Sequence, residues 1–162
     1  MAITATSYGL NHDAAFTGMV ADGQVANIVS KINDDTTTVA YGKGVVRSGE
    51  KGFKAATASS TANNFVGVLV RELNRSYADG ATFGAPIDRP ASVLTAGVIW
   101  VTVAEAVAVG DAAYLRVGTT QTGDFAKTEG SEATLSVAIP GAKFLTAATT
   151  GGLAKLSLVV GG

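Results

Sequence analysis

Apolar residues alternate with polar ones over several short runs of this chain, the signature of half-buried strands. In the clearest run, 97–103, Ile99, Val101 and Val103 share one face while Val98, Trp100 and Thr102 share the other, so neither face reads as fully solvated. It predicts a core strand. After the turn pair Gly110-Asp111, residues 113–117 alternate Leu115 and Val117 against Tyr114 and Arg116; the two stretches together predict a central antiparallel pair. Residues 65–70 are apolar throughout apart from Gly67 and predict a strand buried on both faces. Residues 133–139 alternate through Leu135, Val137 and Ile139, with Pro140-Gly141 as the expected stop. The stretches 143–147 and 153–160 predict a closing hairpin that puts Leu156, Leu158 and Val160 on one face.

Earlier in the chain the pattern is less decided. Residues 24–32 read as a strand, followed by the turn Asn33-Asp34-Asp35 and a hairpin partner at 36–41. Val25, Ile28, Val29 and Ile32 also satisfy helical spacing, and the threonine run that follows tips the balance towards strand. Pro86 and Pro90 force extended backbone just before the central strand. Residues 1–22 scatter Ile3, Tyr8, Leu10, Phe16 and Met19 without any period, which predicts an irregular N-terminal arm ahead of a β domain over 23–162. Short strands with turn signals between them make that domain all-β: a single-domain antiparallel β-barrel or jelly-roll-like sandwich.

Composition changes the picture in one respect. Only 15% of the 162 residues are charged while 47% are hydrophobic, below the roughly 25% charge of an ordinary soluble domain. Such a surface must display Ala, Val, Thr and Gly, and a partner or another copy of the chain is expected to cover part of it. Positive mean hydropathy, +0.30, does not signal a membrane helix, because the longest apolar run, 96–109, is broken by Thr102 and Glu105 and is shorter than the roughly 20 residues a span needs. The first residues lack the basic and apolar regions of a secretory signal, so synthesis and use in a cytoplasm is expected. A formal net charge of −1 gives no bulk attraction to nucleic acid or anionic lipid.

Candidate chemistry is sparse. With no cysteine in the chain, disulfides, zinc knuckles and thiol nucleophiles are absent. His12 is the single histidine; Asp13 beside it points elsewhere on an extended chain, so no triad is indicated. Asp34, Asp35, Asp79, Asp88, Asp111 and Asp124 fall mostly at turn positions, where local backbone accounts for them, and no calcium-loop spacing occurs. Gly42-Lys43-Gly44 fits neither a dinucleotide fingerprint nor a phosphate loop. Lys43, Arg47, Lys51 and Lys54 form a modest basic cluster that suits a solvated loop or a rim meeting an acidic neighbour. Trp100 reads as a packing residue of its strand rather than a sugar platform. No catalytic residue, cofactor or metal site is expected.

Phe65-Val-Gly-Val-Leu-Val70, the run from Pro90 through Trp100 to Val103, and Val109-Gly-Asp-Ala-Ala-Tyr-Leu115 occur in an order that resembles the head decoration, or structural cement, proteins of tailed bacteriophages. Ile139-Pro-Gly-Ala-Lys-Phe-Leu145 and Gly151-Gly-Leu-Ala-Lys-Leu-Ser-Leu158 extend the likeness over most of the chain after residue 22. The resemblance implies a non-enzymatic virion protein on the outer surface of an icosahedral head, assembled in the bacterial host cytoplasm. Its implied partners are the major capsid protein and further copies of itself as a dimer or trimer, with no nucleic acid or membrane. Ile3, Tyr8, Leu10 and Phe16 of the arm are the candidate contacts with capsid or with a neighbouring copy. The competing expectation is a virion-surface module that binds a glycan or receptor; a hydrolase built on His12 is the weakest reading.

Overall fold

The computed structural model describes residues 15–21, 25–73 and 81–159. They form an all-β architecture with eleven strands: β1 (Asn27–Asn33), β2 (Val39–Ala40), β3 (Gly44–Ser48), β4 (Gly52–Ala55), β5 (Phe65–Leu69), β6 (Gly84–Ala85), β7 (Pro90–Thr102), β8 (Ala112–Arg116), β9 (Phe125–Ala126), β10 (Ser136–Phe144) and β11 (Leu153–Val159). Short 3-10 turns at Ala62–Asn64 and Glu132–Thr134 are the helical elements among the described residues. No helix there is long and apolar enough to cross a membrane.

Nine strands run β1-β4-β3-β5-β7-β11-β10-β8-β9, and β1 also pairs with β7. That extra pairing closes β1, β4, β3, β5 and the first half of β7 into a five-stranded barrel. The second half of β7 continues through β11, β10, β8 and β9; there a bridge from Val103 to Phe125 and the Ala104 N–H donating to the Phe125 carbonyl at 2.7 Å close the other end. One thirteen-residue strand is therefore shared by two barrels. The paired β2 and β6 are tied on by Asn33, whose side-chain amide donates to the Ala85 and Thr37 carbonyls at 2.9 and 3.1 Å.

Two apolar cores match the two barrels. Val45, Phe53, Val66, Leu69, Ala91 and Val93 belong to the smaller one, whereas Val46, Phe65, Val68, Leu94, Ile99, Val101, Phe125, Phe144 and Leu156 belong to the larger. Strands β3 and β5 supply both, because both of their faces are covered, as the unbroken apolar run 65–70 predicts. β7 faces the smaller core through Ala91 and Val93 and the larger through Ile99 and Val101, with Val103 just past its end facing the larger too, although all five positions have the same parity. Leu94, of opposite parity, also faces the larger core. A bulge resolves this: Asn27 pairs with Ala96 and Ile28 with Leu94, leaving Thr95 unpaired in the ladder. The Thr95 hydroxyl accepts from the Asn27 side-chain amide at 2.8 Å and donates to the Asn27 carbonyl at 3.1 Å, which holds the extra residue.

Three sequence expectations are corrected. The stretches 97–103 and 113–117 are not partners: β7 pairs with β1, β5 and β11, while β8 lies between β10 and β9. The early strand is real but shifted to Asn27–Asn33, and its partners are β7 and β4 instead of residues 36–41. Pro140-Gly141 does not end its strand, because β10 continues to Phe144 through a register shift between Ala138 and Lys143 that leaves the proline exposed and outside the ladder.

Candidate interaction surface

The alternation that buries Ile99 and Val101 turns Trp100 and Thr102 outward. On the adjacent strand Ala154, Leu156 and Leu158 point inward, so Leu153 and Lys155 point outward; the register sets Lys155 opposite Trp100 and Leu153 opposite Thr102. Trp100 is thus half-buried on an outer face, with the Lys155 ammonium 5.5 Å from its ring centroid. The packing role expected for it is only half of what it does.

Residues 15–21 border this face. The Gly18 N–H donates to the Trp100 carbonyl at 2.7 Å, the Trp100 N–H to the Met19 carbonyl at 2.9 Å, and the Ala21 N–H to the Val98 carbonyl at 2.8 Å. These bonds lay the segment antiparallel to β7, on the edge that β1 covers further along. Gly18 also meets Gly42 back to back: a Cβ on Gly18 would lie 2.8 Å from the Gly42 nitrogen, and one on Gly42 would lie 2.7 Å from the Gly18 nitrogen and collide with the Thr17 hydroxyl. Both glycines have positive φ, +81 and +78°, a conformation costly to other residues.

Phe16 is 46% exposed, yet its ring is covered by the Arg71 guanidinium at 4.5 Å, which also lies 4.7 Å from the Phe83 ring centroid. Phe83 meets the buried Tyr41 edge-to-face at 5.1 Å. The stack fixes the root of the arm on the domain. Between Phe16, Arg71, Trp100, Thr102, Thr146 and Leu153 opens a cleft of about 710 Å³, mostly apolar and with no carboxylate among the described residues lining it. Of the four candidate contact residues, Phe16 stands in this cleft, whereas Ile3, Tyr8 and Leu10 lie outside the described residues, as does His12.

A second cleft of about 430 Å³ lies where β1 and β3 approach the end of β11, with Lys31 and Arg47 in its wall beside Val29, Phe65 and Val159. Several other charged groups serve the fold. Lys43 meets Asp124 at 2.7 Å, so the acidic neighbour expected for the basic cluster is, at this lysine, in the same chain. Burial pushes the Asp124 carboxyl above its ordinary value, outweighing the hydrogen bond and charge of Lys43 and the charge of Arg116. Arg116 is itself buried, donates from Nη1 to the Thr134 carbonyl and leaves Nε without a partner among the described residues. For Glu105 partial desolvation acts upward, but hydrogen bonds from the Thr128 hydroxyl and the Lys127 and Thr128 N–H groups, with the Arg116 charge, bring the net shift downward. Among the described residues no group of three or more His, Cys, Asp or Glu could hold a metal ion.

The family of structural cement proteins described by E217 gp24 and Pam3 gp6 matches residues 3–159. This chain belongs to the phage structural cement protein family. A cement protein is a structural component of the virion, a class distinct from enzymes. In fold the chain is similar to a chain of the capsid of Myoviridae phage XM1, with a TM-score of 0.74 and 19% identity over 98% of each chain. The head fiber gp8.5 N base of bacteriophage phi29 superposes at a TM-score of 0.42 with 14% identity over 83% of this chain and 95% of that one. No curated protein matches the chain.

Proposed function

We propose that this protein decorates the outer surface of an icosahedral phage head, binding between major capsid protein subunits and associating with copies of itself. Membership of the cement family across 3–159 carries the reading. The surface chemistry supports it: charged residues are scarce, and Ile28, Ile32, Leu73, Val109 and Val159 are exposed. Such residues make modest contacts, and repetition over a lattice converts modest contacts into firm retention through effective concentration. Binding at junctions found only in the expanded shell stabilises that state by mass action. Shells from the same source, expanded and stripped of this protein, test the reading when mixed with it and sedimented. Saturation at a fixed ratio to capsid subunits, together with a raised shell melting temperature, is expected; absence of binding sinks the proposal.

A saccharide-binding surface is a second reading, favoured by one observation, the half-exposed Trp100 in an open cleft. Quenching of Trp100 fluorescence by added saccharides is its expected sign.

A further inference from the structure

We infer that the cleft beside Trp100 receives the N-terminal residues of a second copy of this chain, with Ile3, Tyr8 and Leu10 as the inserted side chains. The inference deepens the decoration reading by naming the site of self-association. Its occupant is argued from chemistry and from length. The cleft offers two aromatic rings, Leu153, and the hydroxyl-bearing Thr102 and Thr146, under two cations already stacked on rings and with no carboxylate among the described residues of its lining. Residues 1–12 match it: they carry no acidic or basic side chain other than His12, and they space three large apolar residues among Thr, Ser, Asn and Gly. A basic insert would meet these two cations and be desolvated without compensation.

The position of the arm's root argues for exchange between copies. Ala15, Phe16 and Thr17 themselves form one wall of the cleft, pinned by the Arg71 stack and by the bonds from Gly18 to β7. For its own Leu10 to enter, the chain would have to reverse within 11–14 and return along the wall it has just built. A neighbour's arm enters without that reversal. The fourteen residues ahead of Ala15 reach up to about 46–50 Å when extended, enough to cross to another copy. If each copy both gives and receives an arm, the contact is self-complementary in a two-fold dimer or closes a ring in a trimer.

The chain's lack of cysteine makes the test direct. Full-length Tyr8→Cys and Ala147→Cys variants, the second at an exposed position lining the cleft, are mixed and oxidised, and their products are separated without reductant. A disulfide-linked dimer between the two variants is expected, well above that formed when Tyr8→Cys is mixed with Thr119→Cys, an exposed control outside the cleft. In the Tyr8→Cys/Ala147→Cys double variant, a bridge confined to single chains assigns the cleft to the chain's own arm and overturns the inference. No bridge above the control overturns it too, leaving the cleft to shell protein or saccharide. The sedimentation experiment is independent: shell binding without the bridge refutes arm exchange alone, and the bridge without shell binding refutes decoration alone.

Discussion

Gly42 and Gly18 show how much of the arm's placement depends on missing side chains. Replacing Gly42 with alanine puts a methyl against the Thr17 hydroxyl and the Gly18 nitrogen and imposes a left-handed backbone, which alone costs about 1–3 kcal/mol. The Gly42→Ala protein should lose at least that much in urea unfolding; a change within about 0.5 kcal/mol of wild type would contradict the back-to-back contact. Two carboxylates should shape the pH dependence in opposite senses. Glu105, held below its ordinary 4.5, contributes stability that is present above that value and is lost as pH falls through its lowered pKa in the fold. Asp124, raised above 3.8, does the reverse: its contribution is full below 3.8 and is lost as pH rises through the raised pKa. Urea midpoints followed across the acid range should show a shallower acid loss in Glu105→Gln. In Asp124→Asn the decline with rising pH should disappear; curves parallel to wild type in both variants would refute the assignment.

At the scale of the element, β7 carries one extra residue. Deleting Thr95 removes the bulge but leaves Leu94 and Ile99 four residues apart, on one face of a regular strand, so the variant should keep a cooperative transition. An alanine inserted between Thr95 and Ala96, beyond the bulge, turns Ile99, Val101 and Val103 away from the core that Leu94 faces and should abolish it. Thr95→Ala keeps the register and loses only the bonds to Asn27, costing about 1–2 kcal/mol. A well-folded insertion variant would contradict this register. The same element marks the limit of what sequence pattern reveals. Strict alternation made the two faces of 97–103 legible, but not that the face of Trp100 opens into a cleft, because Val98 and Trp100 on it read as apolar packing residues too. The continuous apolar run 65–70 likewise announced a strand covered on both sides. Partnership was hidden, because pairing of β7 with β1 and β11 is decided by contacts about 60 residues apart in each direction, which no local pattern records. Pro140 misled for a related reason: it reads as a stop until the bulge that accommodates it is known. Arg71 over Phe16 and Phe83 left no local sequence signal either, since the three residues come from separate segments.

For the whole molecule, residues 15–21 dock on the domain. Ala15 is buried and Phe16 lies under Arg71, so removal of residues 2–13 should spare the domain, whereas a cut through 16 would also take part of its surface. The 2–13 deletion is expected to keep the wild-type unfolding midpoint while binding stripped shells more weakly; undiminished binding would show that the arm takes no part in attachment. Stability itself is a property of the joined barrels. Strand β7 has β1 and residues 18–21 along one edge and β5 and β11 along the other, so its central amides meet protein on both sides. In deuterated buffer, those amides have no route to exchange by fraying at a free edge. Neither barrel can release them without the other, and they should exchange at one common slow rate set by opening of the entire chain.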